Sequence, residues 1–173
     1  FTSNGMVQAD SYYNKDVTTA VEAYNEGFSH FISEVDKGEP MFIALSIAPI
    51  FPYQYGNSRR IACDTWGKIG QSEYSLNAVS GGWWTNEFYQ YNDPDHLVLV
   101  GNDADKETEG ENRARITNGA VSGMVLVSDN YSLEDKSGRG DAKLSRERAQ
   151  KILMNKDVNE MADFGRSARP VYG

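Results

Sequence analysis

The chain has little of what redox and metal chemistry require: one cysteine, Cys63, in 173 residues. A lone thiol excludes an internal disulfide framework and a structural zinc cluster, since both need several cysteines. It leaves the compartment open, because proteins without disulfides live on either side of a membrane. Long apolar runs are missing too. The longest, from Met41 to Ile50, spans ten residues counting Ser46 and Pro49. That is about half of the roughly 20 that a bilayer-spanning helix needs, so no membrane insertion is expected. Basic charge is in deficit, with Lys+Arg 17 against Asp+Glu 25 and a formal net charge of −8. Nucleic acids and anionic membranes call for a positive field, so neither is an expected general partner. There is no signal-peptide pattern and no initiator Met: Phe1 runs directly into Thr2, Ser3, Asn4 and Gly5. The expectation is a processed product or an excised piece.

What is present is enough to fold. Hydrophobic residues make up 39% and charged residues 24%, a balance that buries a core rather than leaving a disordered chain. Val17, Ala20, Val21, Tyr24, Phe28, Phe31, Ile32 and Val35 recur at three- and four-residue steps and predict an amphipathic helix. Asn14 or Asp16 is placed to cap it, and Gly38 with Pro40 to end it. Met41-Phe-Ile-Ala-Leu-Ser-Ile47, bounded by Pro40 and Pro49, reads as a strand buried on both faces. Arg60-Ile-Ala-Cys-Asp64 reads as a second strand ending on a carboxylate. Helix is expected over Ser72 to Val79, Glu111 to Ala120 and Asp141 to Met154. Strand is expected over His96-Leu-Val-Leu-Val100 and Met124-Val-Leu-Val-Ser-Asp129.

Helix and strand patterns therefore alternate, which implies βα units and a mostly parallel sheet, an α/β fold in one domain over residues 1–173. In such sheets the loops beyond the carboxyl ends of the strands converge on one mouth, where polar residues carry chemistry. Asp64, the pair Asp93 and Asp95, and Asp129 all sit at such ends.

Two segments are more specific. Asn92-Asp-Pro-Asp-His-Leu-Val-Leu-Val-Gly-Asn102 resembles the Asn-Asp-Pro-Asp strand-end motif of α-galactosidase-like glycoside hydrolases, families 27 and 36. Some thirty residues earlier, Arg60-Ile-Ala-Cys-Asp64 followed by Trp66 is similar to that family's Arg-x-x-x-Asp segment. Ser122 to Asp129 and Lys151 to Val158 resemble its last barrel strand and helix, so the likeness runs from Pro40 to about Asp163. The resemblance implies a (β/α)₈ TIM barrel, a fold of roughly 250 residues, of which this chain would be the C-terminal half with about four βα units. It implies retaining hydrolysis of terminal α-galactosides or related glycosides by two carboxylates ~5–5.5 Å apart, with no cofactor and no metal. Asp64 would be the general acid/base. Arg60, Asp93, Asp95, His96 and Trp66 would contact the sugar, with Asn92 and Asp93 also holding the turn around Pro94. The nucleophile would lie just before Phe1, and the expected partner is the N-terminal half of the barrel.

Ser46-Ile-Ala-Pro-Ile-Phe51 lacks the carboxylate those enzymes place at the end of the fifth strand to read the sugar's 2-position, so galactose, N-acetylgalactosamine and arabinopyranose stay open. Two readings from other classes stand beside the enzyme: a non-catalytic carbohydrate-binding half-barrel, and an interaction module that pairs with another chain. The compartment is open, leaning to a secreted or periplasmic setting.

Several features read as plain structure. Asp129 reads as a strand-end cap, His30 as a partly buried packing histidine beside Phe28 and Phe31, and Cys63 as an inert small hydrophobe. Asp103, Asp105, Glu107 and Glu109 alternate like a calcium loop, but Thr108 stands where a glycine is required and Ala114 where the closing Glu belongs. Arg139-Gly-Asp141 is a chance triplet. Asn130-Tyr-Ser132 is a glycosylation sequon only in a secreted eukaryotic protein.

Overall fold

A computed structural model describes residues 7–51, 53–66, 68–100, 107–133 and 141–171. The chain divides into two compact units, Phe1–Arg60 and Ile61–Gly173. The first unit is built on α1, Ala20–Val35. The expected helix is there, but Thr19 caps it rather than Asn14 or Asp16. The Glu22 N–H donates to Thr19 Oγ1 at 3.2 Å while Glu22 Oε2 accepts the Thr19 N–H at 3.0 Å, a reciprocal capping box. The Thr18 N–H and hydroxyl, each donating to Glu22 Oε2 at 2.9 Å, together with the Thr19 N–H hold the Glu22 carboxyl below its usual range. Tyr24 is buried and stacks on Phe28 at 4.7 Å, and the Tyr55 hydroxyl donates to Asn25 Oδ1 at 2.9 Å. His30 does not pack: it is exposed, because the buried stripe of α1 narrows to Ala20 and Tyr24.

The apolar run that begins at Met41 is far less of a strand than its composition implies. Only β1, Ala44–Leu45, is extended, pairing in parallel with β2, Ser58–Arg60, in the register Ala44 to Ser58 and Leu45 to Arg59. Met41, Phe42 and Ile47 are exposed. Ile47 adopts φ +50°, a left-handed backbone that ends the pleat. Arg59 secures the segment beyond it, donating from Nη2 to the Ala48 carbonyl at 2.9 Å. Strand β2 also stops short of the expected Arg60 to Asp64.

The second unit is largely helical. Its elements are α2 (Ile69–Gly82), a 3₁₀ turn (Trp83–Glu87), β3 (Tyr91–Asp93), α3 (Glu109–Ser122), α4 (Ala142–Ile152) and α5 (Lys156–Asp163). Its core joins Leu97, Leu99, Val100, Ile116 and Ile152, with Val125, Leu144, Ala149, Leu153 and Val158 packed against them. Helices α3 and α4 fall where the apolar spacing places them, opened by the capping box of Thr108 with Glu111 and by the Asp141 carboxylate. Helix α5 was not expected; its Asn155 cap, accepting from the Asp157 and Val158 N–H groups, was the available signal.

Leu97 to Val100 and Met124 to Asp129 form no ladder. One parallel bridge joins Leu97 to Val127, and the Leu97 N–H donates to the Leu126 carbonyl at 2.5 Å. Side chains complete the backbone bonding instead. The Asp129 carboxylate accepts from the N–H groups of Leu99 and Val100 at 2.6 and 2.9 Å. Asn112 and Arg148 donate to the Leu99 carbonyl at 2.8 and 2.6 Å, and the fully buried Arg115 donates to the Val98 carbonyl. Arg115 also bridges to Glu107 at 2.9 Å. Cys63 is exposed rather than packed. Among the described residues no helix is long and apolar enough to cross a membrane, and no group of three or more ligating side chains could hold a metal ion. Asp103, Asp105, Arg139 and Gly140 lie outside the described residues.

Two predictions follow from this packing. Gly123 closes α3 at φ +97°, and a Cβ there would sit 2.9 Å from the Arg166 carbonyl carbon. Gly123→Ala should therefore cost on the order of 2 kcal/mol in urea unfolding of the chain. Burial, against the opposing pull of Arg115, holds the Glu107 carboxyl above its usual range. The folded chain then keeps this proton where the unfolded chain has released it, so the group's contribution makes stability fall as pH rises through the window just above the ordinary carboxylate value. Glu107→Gln should flatten that part of the profile, read from urea midpoints between about pH 4 and 7.

Candidate functional site

The residues singled out by their motifs meet in the second unit, apart from Arg60, which closes β2 in the first and is partly buried there. The meeting point is the turn after β3. Asn92 is wholly enclosed, accepting from Thr85 Oγ1 at 2.7 Å and donating to Ser167 Oγ at 2.7 Å. Ser167 in turn donates to the Ser122 carbonyl at 2.6 Å, so the start of the motif is tied to the end of α3. The Pro94 carbonyl accepts from Ser75 of α2 at 3.0 Å. Asp93 Oδ1 accepts the Asp95 N–H at 2.7 Å, an Asx-type turn that stabilises Asp95 at φ +73°, a conformation costly for a residue with a Cβ.

Asp95 then joins this turn to the other motif. Its carboxylate, 1% exposed, accepts the Thr65 N–H on Oδ2 at 2.7 Å, and Oδ1 stands 3.3 Å from His96 Nδ1. The Thr65 hydroxyl donates to the His96 carbonyl. The Ile61 N–H donates to the Asp93 carbonyl at 2.9 Å, so the segment that follows β2 runs beside β3 into this clasp. On the far side of Thr65, Gln71 of α2 fixes the chain: its Oε1 accepts from the N–H groups of Trp66 at 2.7 Å and Lys68 at 3.1 Å, and its Nε2 donates to the Asp64 carbonyl.

The outcome is a division of labour. Asp93 and Asp95, expected at the sugar, are enclosed and bonded to the chain's own donors. Asp64 and Trp66 flank the buried Thr65 and are exposed, Trp66 at 66%. Partly exposed His96 meets the Trp66 ring at 5.7 Å, edge to face at 73°. An exposed carboxylate and an exposed indole thus flank the clasped Thr65, and the indole adjoins a partly exposed imidazole. They offer proton transfer, hydrogen bonding and a flat apolar face. Asp129, expected only as a cap, is bonded to Leu99 and Val100; with burial, its charge pushes the nearby Tyr131 phenol above its usual range.

Sequence reasoning passed over Thr65, Gln71, Thr85 and Ser167, which hold the arrangement. Thr65, lying between Asp64 and Trp66 within the motif, was the one with a signal. A cleft of ≈ 370 Å³ in the first unit, lined by residues such as Tyr12, Tyr13, Glu26 and His30, also went unremarked. No protein-family model matches the chain, and no curated protein matches it.

The clasp is open to direct test. Asp95→Ala leaves the Thr65 N–H without its acceptor and empties a buried position, so it should destabilise the second unit by about 2–3 kcal/mol. Asp95→Asn, which keeps an acceptor oxygen, should cost less. Chemical denaturation followed by tryptophan fluorescence would report both, since Trp66 stands on the clasp.

Proposed function

We propose that this chain carries the acid/base side of a retaining glycosidase site for terminal α-galactoside-type sugars, on the C-terminal half of a (β/α)₈ barrel. The observation that supports this reading is the Asp95 clasp. It draws together Ile61 to Trp66 and Asn92 to His96, from the two segments that resemble the family, and leaves Asp64 and Trp66 exposed on either side of Thr65.

In this reading Asp64 protonates the departing glycosidic oxygen and later draws a proton from the attacking water. Trp66 offers its face to the C–H side of the pyranose, and His96 bonds hydroxyls. Asp93 and Asp95 act from beneath, as positioning residues for Thr65 and hence for Asp64. The reading requires a second, nucleophilic carboxylate, which the resemblance assigns to the N-terminal half of the barrel. A carboxyl acting as an acid near neutrality needs burial or neighbouring negative charge to keep its proton. In this proposal that surrounding arrives with the substrate and with the second carboxylate.

The test is Asp64→Asn in the intact enzyme, assayed on α-galactosides of graded leaving-group acidity. Turnover should fall about 10²–10⁴-fold for alkyl and sugar leaving groups and much less for dinitrophenolate, which departs without a proton. Equal turnover of poor leaving groups by variant and parent would sink the assignment. Binding of the sugars without hydrolysis by the parent would replace it with the non-catalytic carbohydrate-binding reading.

A further inference from the structure

The first unit has a feature of its own. A cleft of ≈ 370 Å³ runs between the loop carrying Tyr12, Tyr13 and Asn14 and one face of α1. That volume lies in the range of about 300–1,000 Å³ common to small-molecule sites. On the helix side Ala23, Glu26, Gly27 and His30 are spaced by three and four residues and so share one face. The floor is bare at Gly27, where an added Cβ would meet nothing within 4 Å. A ring can therefore approach the helix backbone there.

The lining is mostly apolar, with Tyr12, Tyr13, Val17 and Ala23 contributing to it, and its few polar groups are fixed. Asn14 Oδ1 accepts the Asp16 N–H at 3.1 Å, which orients the amide. Its Nδ2 donates to both oxygens of Glu26, at 3.0 and 3.2 Å. A carboxylate has about four acceptor sites, so Glu26 keeps sites for a ligand's hydroxyls, next to the His30 imidazole. Tyr12 is held by its backbone carbonyl, which accepts from Lys15 Nζ at 2.8 Å, and by its hydroxyl, which accepts the Ala9 N–H at 3.2 Å. The Tyr13 ring is fully exposed.

Those groups define the occupant. An anion would be repelled by Glu26, and a wholly apolar molecule would strip water from that carboxylate without replacing its hydrogen bonds. A pyranose has what the cleft lacks: a flat C–H face for the Tyr13 ring and an edge of hydroxyl donors for Glu26. We propose that the cleft between Tyr13 and α1 is a sugar-binding subsite, with the tyrosine ring as platform and the Asn14–Glu26 pair as the hydroxyl-reading edge. It shares no residue with the strand-end site and does not require Asp64 to be catalytic.

The test is saturation-transfer NMR on the full chain with methyl α-galactopyranoside and methyl β-glucopyranoside, and with tetramethylammonium as the cationic comparison. Gly27→Leu fills the floor while favouring the helix, so circular dichroism should be unchanged and sugar affinity at least tenfold weaker. Tyr13→Ala, at an exposed position, should weaken binding several-fold. No transfer to either sugar, or equal transfer in the parent and Gly27→Leu, would overturn the proposal. So would tetramethylammonium binding in the cleft with sugars excluded. Sugar binding lost in Trp66→Ala but kept in Gly27→Leu would place recognition at the strand-end site, overturning this inference and leaving the glycosidase reading standing.

Discussion

One buried carboxylate organises the second unit of this molecule. Asp95 is almost completely enclosed, and a charge withdrawn from water persists only where hydrogen bonds replace its hydration. The Thr65 N–H supplies one of those bonds and fixes where the segment after β2 must run. The same residue bears a left-handed backbone that Asp93 stabilises from two positions earlier, so the turn and the clasp each depend on the other. Asp64 and Trp66 reach the surface as a consequence: with Thr65 turned inward, its two neighbours are left facing out.

A second principle runs through the core of this unit. Leu97, Leu99 and Val100 are fully buried, yet one isolated bridge joins their segment to Leu126 and Val127. Buried backbone groups still need partners, and here Asp129, Asn112, Arg115 and Arg148 provide them. Polar and charged side chains thereby substitute for a neighbouring strand. This accounts for an arginine with no solvent exposure in the middle of α3, which would otherwise be a costly choice.

The legibility of the sequence differed by element. Helices α1, α3 and α4 could be read because a 3.6-residue apolar period is a local signal, whereas the cap of α1, Thr19, was not the one expected. The strands could not. The segments beginning at Met41 and Met124 have strand composition, but a strand exists only where a partner lies alongside, and each has just a short stretch of pairing. His30 was misjudged for a related reason. The helical stripe marks which residues could face inward, whereas the depth of packing against α1 decides how many do.

The same boundary divides the candidate site. Sequence by itself marked the two segments, because acidic residues flanking proline and a carboxylate four positions after an arginine are visible in one dimension. It also excluded a disulfide scaffold and any long apolar helix, since those depend on composition alone. Only tertiary structure decided which carboxylates would be enclosed and which exposed: Asp95 inward against Thr65, Asp64 outward beside Trp66. Burial is a property of what packs over a residue, and for these side chains that cover comes from chain about thirty positions away.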